Sequence, residues 1–484
     1  MKILPSARLW GQQHGVSAAY LAFAVLMLQL ARRGGTKEVV RDNLVSFFAA
    51  VVPTELAHKL LAMNALVIYK LREAHTPLLS SWVGSLAVFC HGLAILKFLQ
   101  NNRENVSAKQ FIRAAMEQQS DIAHEKLRAI GNLSLQEWIG VVLPLPQPMA
   151  LSLAYAGVRK IKTVTFAHVG ENRTSKLRMD VYKHDKTPPN APILVYVHGG
   201  AWMFGTRERA PLPLLYQVAN HGWVVCSVDY RLSPKVAFPD HLIDVKRAIA
   251  YLRQNARNEF DADPEFIAVA GESAGGHLAS LVALTATDKS LQPGFEDVDT
   301  SVRACIDNYG VHDFLDRHGL YFYKDKGHGF LKMMEVVIMQ RPIKESLEQY
   351  EQASPVSWLM DDKHCEAKQG QLVPPFLLSH GTHDTLVPFD DSSIFYEKLQ
   401  KHRARTGQRI ADIEDVFIEI PGAHHAFNYL MSPRALAYGD AVCAFLENVH
   451  SKTKDLPLGC VGGTGVASSE DKAILSAGRR LARL

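Results

Sequence analysis

Charge is missing from two stretches of this chain: Leu9 to Ala31 and Ala74 to Leu96 contain no Asp, Glu, Lys or Arg, although charged residues make up 21% of the whole. Cysteine is scarce and scattered. Cys90, Cys226, Cys305, Cys365, Cys443 and Cys460 form no C-x-x-C pair and no Cys/His spacing of a zinc site, which argues against a disulfide framework and against a structural metal. An excess of either charge is also lacking. Lys and Arg number 53 against 49 Asp and Glu, and they gather in no long run, so nucleic-acid binding has no electrostatic basis. With 47% hydrophobic residues in 484, the chain can bury a large core, and its length fits one large domain with additions.

Each charge-free stretch exceeds the ~20 apolar residues needed to cross a bilayer as a helix. The first ends at Arg32 and Arg33, where a signal peptide would need a small-residue cleavage site, so an uncleaved membrane helix is expected. Between the two, Leu44 to Val52 is too short to span, and Leu56 to Leu71 is interrupted by His58 and Lys59. These are expected as a buried or interfacial helix pair. Residues 1–135 therefore read as a helical, membrane-integral region with spanning helices at 9–31 and 74–96. A polar helical stretch, Glu104 to Arg128, and the proline-rich Leu143 to Pro148 lead out of it.

Beyond Lys160 the pattern changes to short β-branched runs alternating with longer helical segments, the sequence form of a mostly parallel sheet with helices on both faces. Strands are expected at Thr163–Val169, Leu177–Tyr182, Ile193–His198, Trp223–Tyr230, Phe266–Gly271, Ala304–Asn308, Phe376–Ser379 and Val416–Ile420. This α/β catalytic domain is placed at 150–450. An insertion at 310–374 contains the apolar, helix-like Phe330 to Met339, and a Gly- and Ser-rich flexible tail is expected at 451–484.

Gly271-Glu272-Ser273-Ala274-Gly275 fits G-x-S-x-G at a junction of strand and helix, the context in which such a serine becomes an exposed nucleophile. Upstream, the strand from Ile193 runs into His198-Gly199-Gly200-Ala201-Trp202, a loop able to turn backbone N–H groups toward a developing oxyanion. A serine hydroxyl needs a histidine base, and that base needs a carboxylate to orient it. Chain order and strand ends select the partners. Asp384 follows the strand Phe376–Ser379 closely, whereas Asp390 and Asp391 lie further on, near the start of a helix. His424 and His425 both follow the strand Val416–Ile420, and physics alone leaves them open. His380 and His383 beside Asp384 lack the HExxH or cysteine partners of a metal site, so neither metal nor cofactor is expected.

Three signatures together resemble the hormone-sensitive-lipase-like, or family IV, esterases of the α/β-hydrolase superfamily. They are His198-Gly199-Gly200, the run Val228-Asp229-Tyr230-Arg231-Leu232-Ser233-Pro234 followed by Phe238-Pro239 and Asp244, and Gly271-Glu272-Ser273-Ala274-Gly275-Gly276. The resemblance spans about Lys160 to Glu447. It implies the α/β-hydrolase fold with Ser273 as nucleophile, Asp384 as acid and His425 as base, since the family's histidine is commonly followed two residues later by Phe, here Phe427. It implies the N–H groups of Gly199, Gly200 and Ala274 as oxyanion donors, and a cap over the site formed by the 310–374 insertion together with helices preceding the first strand. Ala201 replaces the branch's usual third glycine, and Glu272 stands where many members have Asp. The expected function is a membrane-associated serine ester hydrolase acting on a hydrophobic or short-to-medium acyl ester. Arylformamidase-like and isoprenylcysteine-methylesterase-like hydrolases share these elements, so amide or formamide hydrolysis is the alternative, with a non-catalytic ligand binder on the same scaffold as a third reading.

Overall fold

The structure, a computed structural model, describes residues 5–36, 44–74, 78–321, 329–360, 372–407 and 410–456. The chain opens with four helices, α1 (Pro5–Gly34), α2 (Leu44–Glu55), α3 (Ala57–Glu73) and α4 (Trp82–Gln119). Gly15–Gly34 within α1, and α4, are long and apolar enough to cross a membrane. The second charge-free run becomes α4 only at Trp82, where the Ser81 hydroxyl accepts from Gly84 N at 3.1 Å and fixes the helix start. That helix does not stop at Leu96. No Gly or Pro interrupts the good helix formers that follow, so it runs on through the polar stretch to Gln119. The α2–α3 pair bends by 83° between Glu55 and Ala57.

Small side chains let α1 and α4 approach closely: Ala24, Ala31, Ala87 and Ala94 are fully buried. A polar clasp adds direction. Tyr20 OH meets His91 Nδ1 at 2.6 Å, and His91 Nε2 meets Asn64 Oδ1 at 2.5 Å, so one tautomer serves α1, α3 and α4 together. Trp82, Phe89, Leu96 and Leu66 are turned outward and exposed.

Three short helices, α5 (His124–Ala129), α6 (Leu135–Val142) and α7 (Gln147–Ala154), lead to the sheet. All eight expected strands form: β1 (Val158–Val169), β2 (Ser175–His184), β3 (Ala191–Val197), β4 (Val224–Val228), β5 (Ala262–Glu272), β6 (Cys305–Asn308), β7 (Phe376–Gly381) and β8 (Val416–Ile420). Their order is β1-β2-β4-β3-β5-β6-β7-β8, with β1 and β2 antiparallel to their neighbours and the six strands β3 to β8 mutually parallel. The period of two sorts each strand between two cores. Ile193, Val195 and Val197 of β3 enter one, and Leu194 and Tyr196 enter the other.

The first core is closed by α9 (Asp240–Phe260), α10 (Ala274–Leu284) and α13 (Phe389–Thr406), and the second by α8 (Leu212–Asn220) and α14 (Pro433–Thr453). The second core also takes Ile112 and Met116 from α4 and Leu127, Val141 and Leu151 from α5 to α7. The hydrophobic unit of the sheet thus reaches back into α4. In the insertion, α11 (Gly329–Met333) continues as a π turn over Met334–Ile338, and α12 spans Leu347–Ala353. Met334 and Ile338 are buried in the first core while Val336 faces out. The insertion's residues 322–328 and 361–371, and the tail from 457 onward, lie outside the described residues. Cys90, Cys226, Cys305 and Cys443 are free thiols.

Candidate active site

Parallel register aligns the strand ends: Val197 pairs with Gly271, Glu272 with Asn308, Asn308 with Ser379, and Gly381 with Ile420. The loops after β3, β5, β6, β7 and β8 therefore stand side by side at the carboxyl edge, where open α/β sheets place their ligands. Ser273 occupies the turn between β5 and α10 with φ 54° and ψ −122°, a conformation that a non-glycine residue holds only when its surroundings impose it. Gly271 and Gly275 leave room for it. A Cβ at Gly271 would stand 2.2 Å from Gly275 O, and one at Gly275 would stand 2.1 Å from Val197 O. Ser273 N donates to Asn308 O at 2.9 Å, and Asn308 Nδ2 donates to Gly271 O at 2.8 Å, locking the turn to β6. The Ser273 hydroxyl does not cap α10.

The loops after β7 and β8 are stitched to each other before they present any side chain. Thr382 N donates to Ile420 O and His383 N to Ala423 O, each at 3.0 Å, and a Cβ at Gly381 would lie 2.3 Å from Ala423 O. The stitching brings His425 Nδ1 to 2.6 Å from Asp384 Oδ2, while Asp384 Oδ1 accepts from Leu386 N at 2.9 Å and Val387 N at 3.0 Å. Burial alone would raise the Asp384 carboxyl, but His425 and His380 hold it well below the usual carboxylate range. A carboxylate at Nδ1 makes that nitrogen the donor and leaves Nε2 as the basic one. The Tyr309 ring packs on His425 with centroids 4.5 Å apart. His424 is turned away: its Nε2 lies 3.0 Å from Gly34 O at the end of α1. Asp391 is likewise committed elsewhere, accepting from His312 N at 2.8 Å and from Tyr321 OH at 3.0 Å.

The loop after β3 abuts the serine turn, since a Cβ at Gly199 would be 3.2 Å from Ser273 Cβ. Its left-handed path continues through Gly200, Ala201 and Trp202 at φ 121°, 49° and 57°, so the alanine accepts the conformation that a third glycine would take freely. Trp202 Nε1 bonds His277 Nδ1 at 3.1 Å, and Tyr230 OH donates to His198 O at 3.0 Å, fixing the loop from both sides. Of the three N–H groups expected to face an oxyanion, that of Gly199 is donated to Glu272 Oε1 at 2.9 Å. Ala274 N–H opens the first turn of α10 at the positive end of the helix dipole. Among the described residues no group of three or more His, Cys, Asp or Glu side chains is arranged to hold a metal.

Glu272 is the residue whose place here the motif did not foretell. In its fully buried carboxyl, Oε1 accepts from Gly199 N at 2.9 Å and from Tyr429 OH at 2.5 Å while Oε2 pairs with Tyr196 OH, and burial pushes it up to about 8 against the two donors on Oε1. The folded protein therefore keeps a proton that the unfolded chain releases above 4.5, and the stability tied to it is lost as the pH rises toward about 8. Glu272→Gln keeps the shape without the titration. Thermal unfolding followed across that window should show the variant gaining on the wild type with rising pH, and parallel curves would mean that Glu272 folds as a carboxylate.

A family described as BD-FAE matches residues 179–399. The probable carboxylic ester hydrolase LipM of Mycobacterium tuberculosis is 31% identical over 415 residues, covering 84% of this chain and 88% of that protein. Esterase LipQ of the same organism is 34% identical over 57% of this chain and 60% of its own length. A thermophilic esterase from Thermogutta terrifontis is a structural neighbour at 24% identity, with a TM-score of 0.46 over 61% of this chain and 93% of that one. Similarity to LipM along nearly its full length, on an α/β-hydrolase sheet carrying the three signatures, places the chain in the hormone-sensitive-lipase-like family of carboxylic ester hydrolases.

Proposed function

We propose that the protein is a membrane-associated serine esterase that works through Ser273, His425 and Asp384 by way of an acyl-enzyme. His425 Nε2 takes the Ser273 proton as Oγ attacks the ester carbonyl. The oxyanion is held by the N–H groups of Gly200 and Ala274, while Gly199 aligns the loop through Glu272. The proton passes to the departing alcohol, and water activated by the same nitrogen then releases the acid. The observation that carries this reading is the 2.6 Å bond from His425 Nδ1 to Asp384 Oδ2, on the loops beside the strained serine turn.

Two apolar helices of spanning length support attachment to a membrane, and attachment favours a hydrophobic ester reached at the lipid surface. The test is fluorophosphonate labelling of carbonate-washed membranes carrying the full chain. The label should sediment with the membrane and map to the peptide containing Ser273. Label released into the wash would remove the membrane reading, and label on another residue would remove the nucleophile.

A further inference from the structure

The loop that carries His425 is held from below by the helices that precede the catalytic domain. Gly34, the last residue of α1, offers its carbonyl to His424 Nε2 at 3.0 Å, and Thr54 Oγ1 of α2 lies 2.8 Å from the same oxygen. Glu55, at the 83° break between α2 and α3, enters the catalytic domain as a buried carboxylate. It accepts from Arg434 Nη1 and Ser432 Oγ, each at 2.6 Å, and from Asn105 Nδ2 of α4 at 2.9 Å. Asn105 Oδ1 in turn accepts from Arg434 N at 3.0 Å. Ala50 and Val51 of α2 pack on Ala426, the residue next to the base, and on Leu430. Residues 424 to 434 are thus gripped by α1, α2 and α4 at once.

These contacts are costly unless they are needed. The Glu55–Arg434 pair is almost wholly buried, and such a pair seldom adds stability over an apolar substitute; what it fixes is geometry. The geometry fixed here is that of a short loop whose fifth residue after β8 must hold its imidazole between a carboxylate and a serine. Ala426 follows at φ 61°, a conformation maintained by its surroundings. His424 Nε2 meets Gly34 O while the adjacent His425 Nδ1 meets Asp384 Oδ2, so the anchor on Gly34 fixes the backbone from which His425 reaches its carboxylate.

We propose that the ends of the N-terminal helices form part of the active site, with His424 and Glu55 as positioning residues that hold His425 through Gly34 and Arg434. Packing of the helical bundle then sets the rate of the chemical step, and loosening it slows hydrolysis without touching the substrate pocket. The proposal rests on His425 being the base.

The test uses the full chain in detergent micelles with p-nitrophenyl butyrate as substrate. In His424→Leu, which has no donor for Gly34 O, kcat should fall by about tenfold or more with KM unchanged, because small misplacements of a catalytic group are costly. Fluorophosphonate labelling of Ser273 should slow in parallel. His424→Gln, which restores an N–H donor, should recover most of the loss. Glu55→Gln, milder still, should lower kcat in the same way and stands in for His424→Leu should that variant not fold. Wild-type kcat in the folded variants, equal losses with leucine and glutamine, or a change confined to KM would each overturn the proposal. Wild-type turnover in Ser273→Ala would instead overturn the triad, so the two failures are distinct.

Discussion

Hydrolysis of p-nitrophenyl butyrate by the full-length protein will fall by about 10⁴- to 10⁶-fold in Ser273→Ala, the scale on which loss of a serine nucleophile is felt. The loss will be chemical, because nothing that shapes the turn depends on the hydroxyl. Gly271 and Gly275 leave space for the turn, Ser273 N holds Asn308 O through the backbone, and the hydroxyl caps nothing. Alanine at φ 54° meets the same constraint as serine, so the thermal midpoint should stay within ~2 °C of wild type, as expected where no packed or bonded group is removed. Turnover from the oxyanion donors and binding alone will persist at a low level. A rate within about tenfold of wild type, with the midpoint unchanged, would show that the ester is attacked by another group.

The strands and the serine turn were legible because local physics decides them. Alternation assigns Ile193, Val195 and Val197 to one core, and a strand running into Gly-x-Ser-x-Gly has few other ways to fold. What stayed hidden was decided by distant residues. His424 and His425 are adjacent, and what distinguishes their surroundings is remote in sequence: Gly34, 390 residues away, meets His424. Gly199 was expected to face an oxyanion, but the Glu272 side chain at the end of the neighbouring strand reaches its N–H. Asn308, which anchors the turn through Ser273 N and Gly271 O, carries no motif of its own; its one signal is its place at the carboxyl end of the strand beside the serine. The continuation of α4 past Leu96 was legible in part, since Glu104 to Arg128 reads as a helical stretch, but that it joins the apolar half in line and ends at Gln119 goes with its docking against β8 and α14.

Asp384→Asn should cost about 10⁴-fold in kcat while leaving the site's shape intact, and the reason lies in which atoms surround the carboxylate. Leu386 N and Val387 N both donate to Oδ1, so an asparagine must set its carbonyl oxygen there and turn its NH2 toward His425. Donation from the amide to Nδ1 forces the proton of a neutral imidazole onto Nε2, and the nitrogen meant to receive the Ser273 proton is then blocked. Stability should respond to acid in the opposite sense. The Asp384 carboxyl lies well below the ordinary value of about 3.9, so its stabilisation is present above that value and is lost only as the pH falls through the lower folded one. The asparagine variant has no such contribution to lose, and the gap in thermal midpoint between wild type and variant should narrow as the pH is lowered from neutrality through the carboxylate range. Retention of more than about a tenth of the wild-type rate would mean that another carboxylate orients the base. Asp391 is poorly placed for that, because it is already committed to His312 N and Tyr321 OH of the insertion.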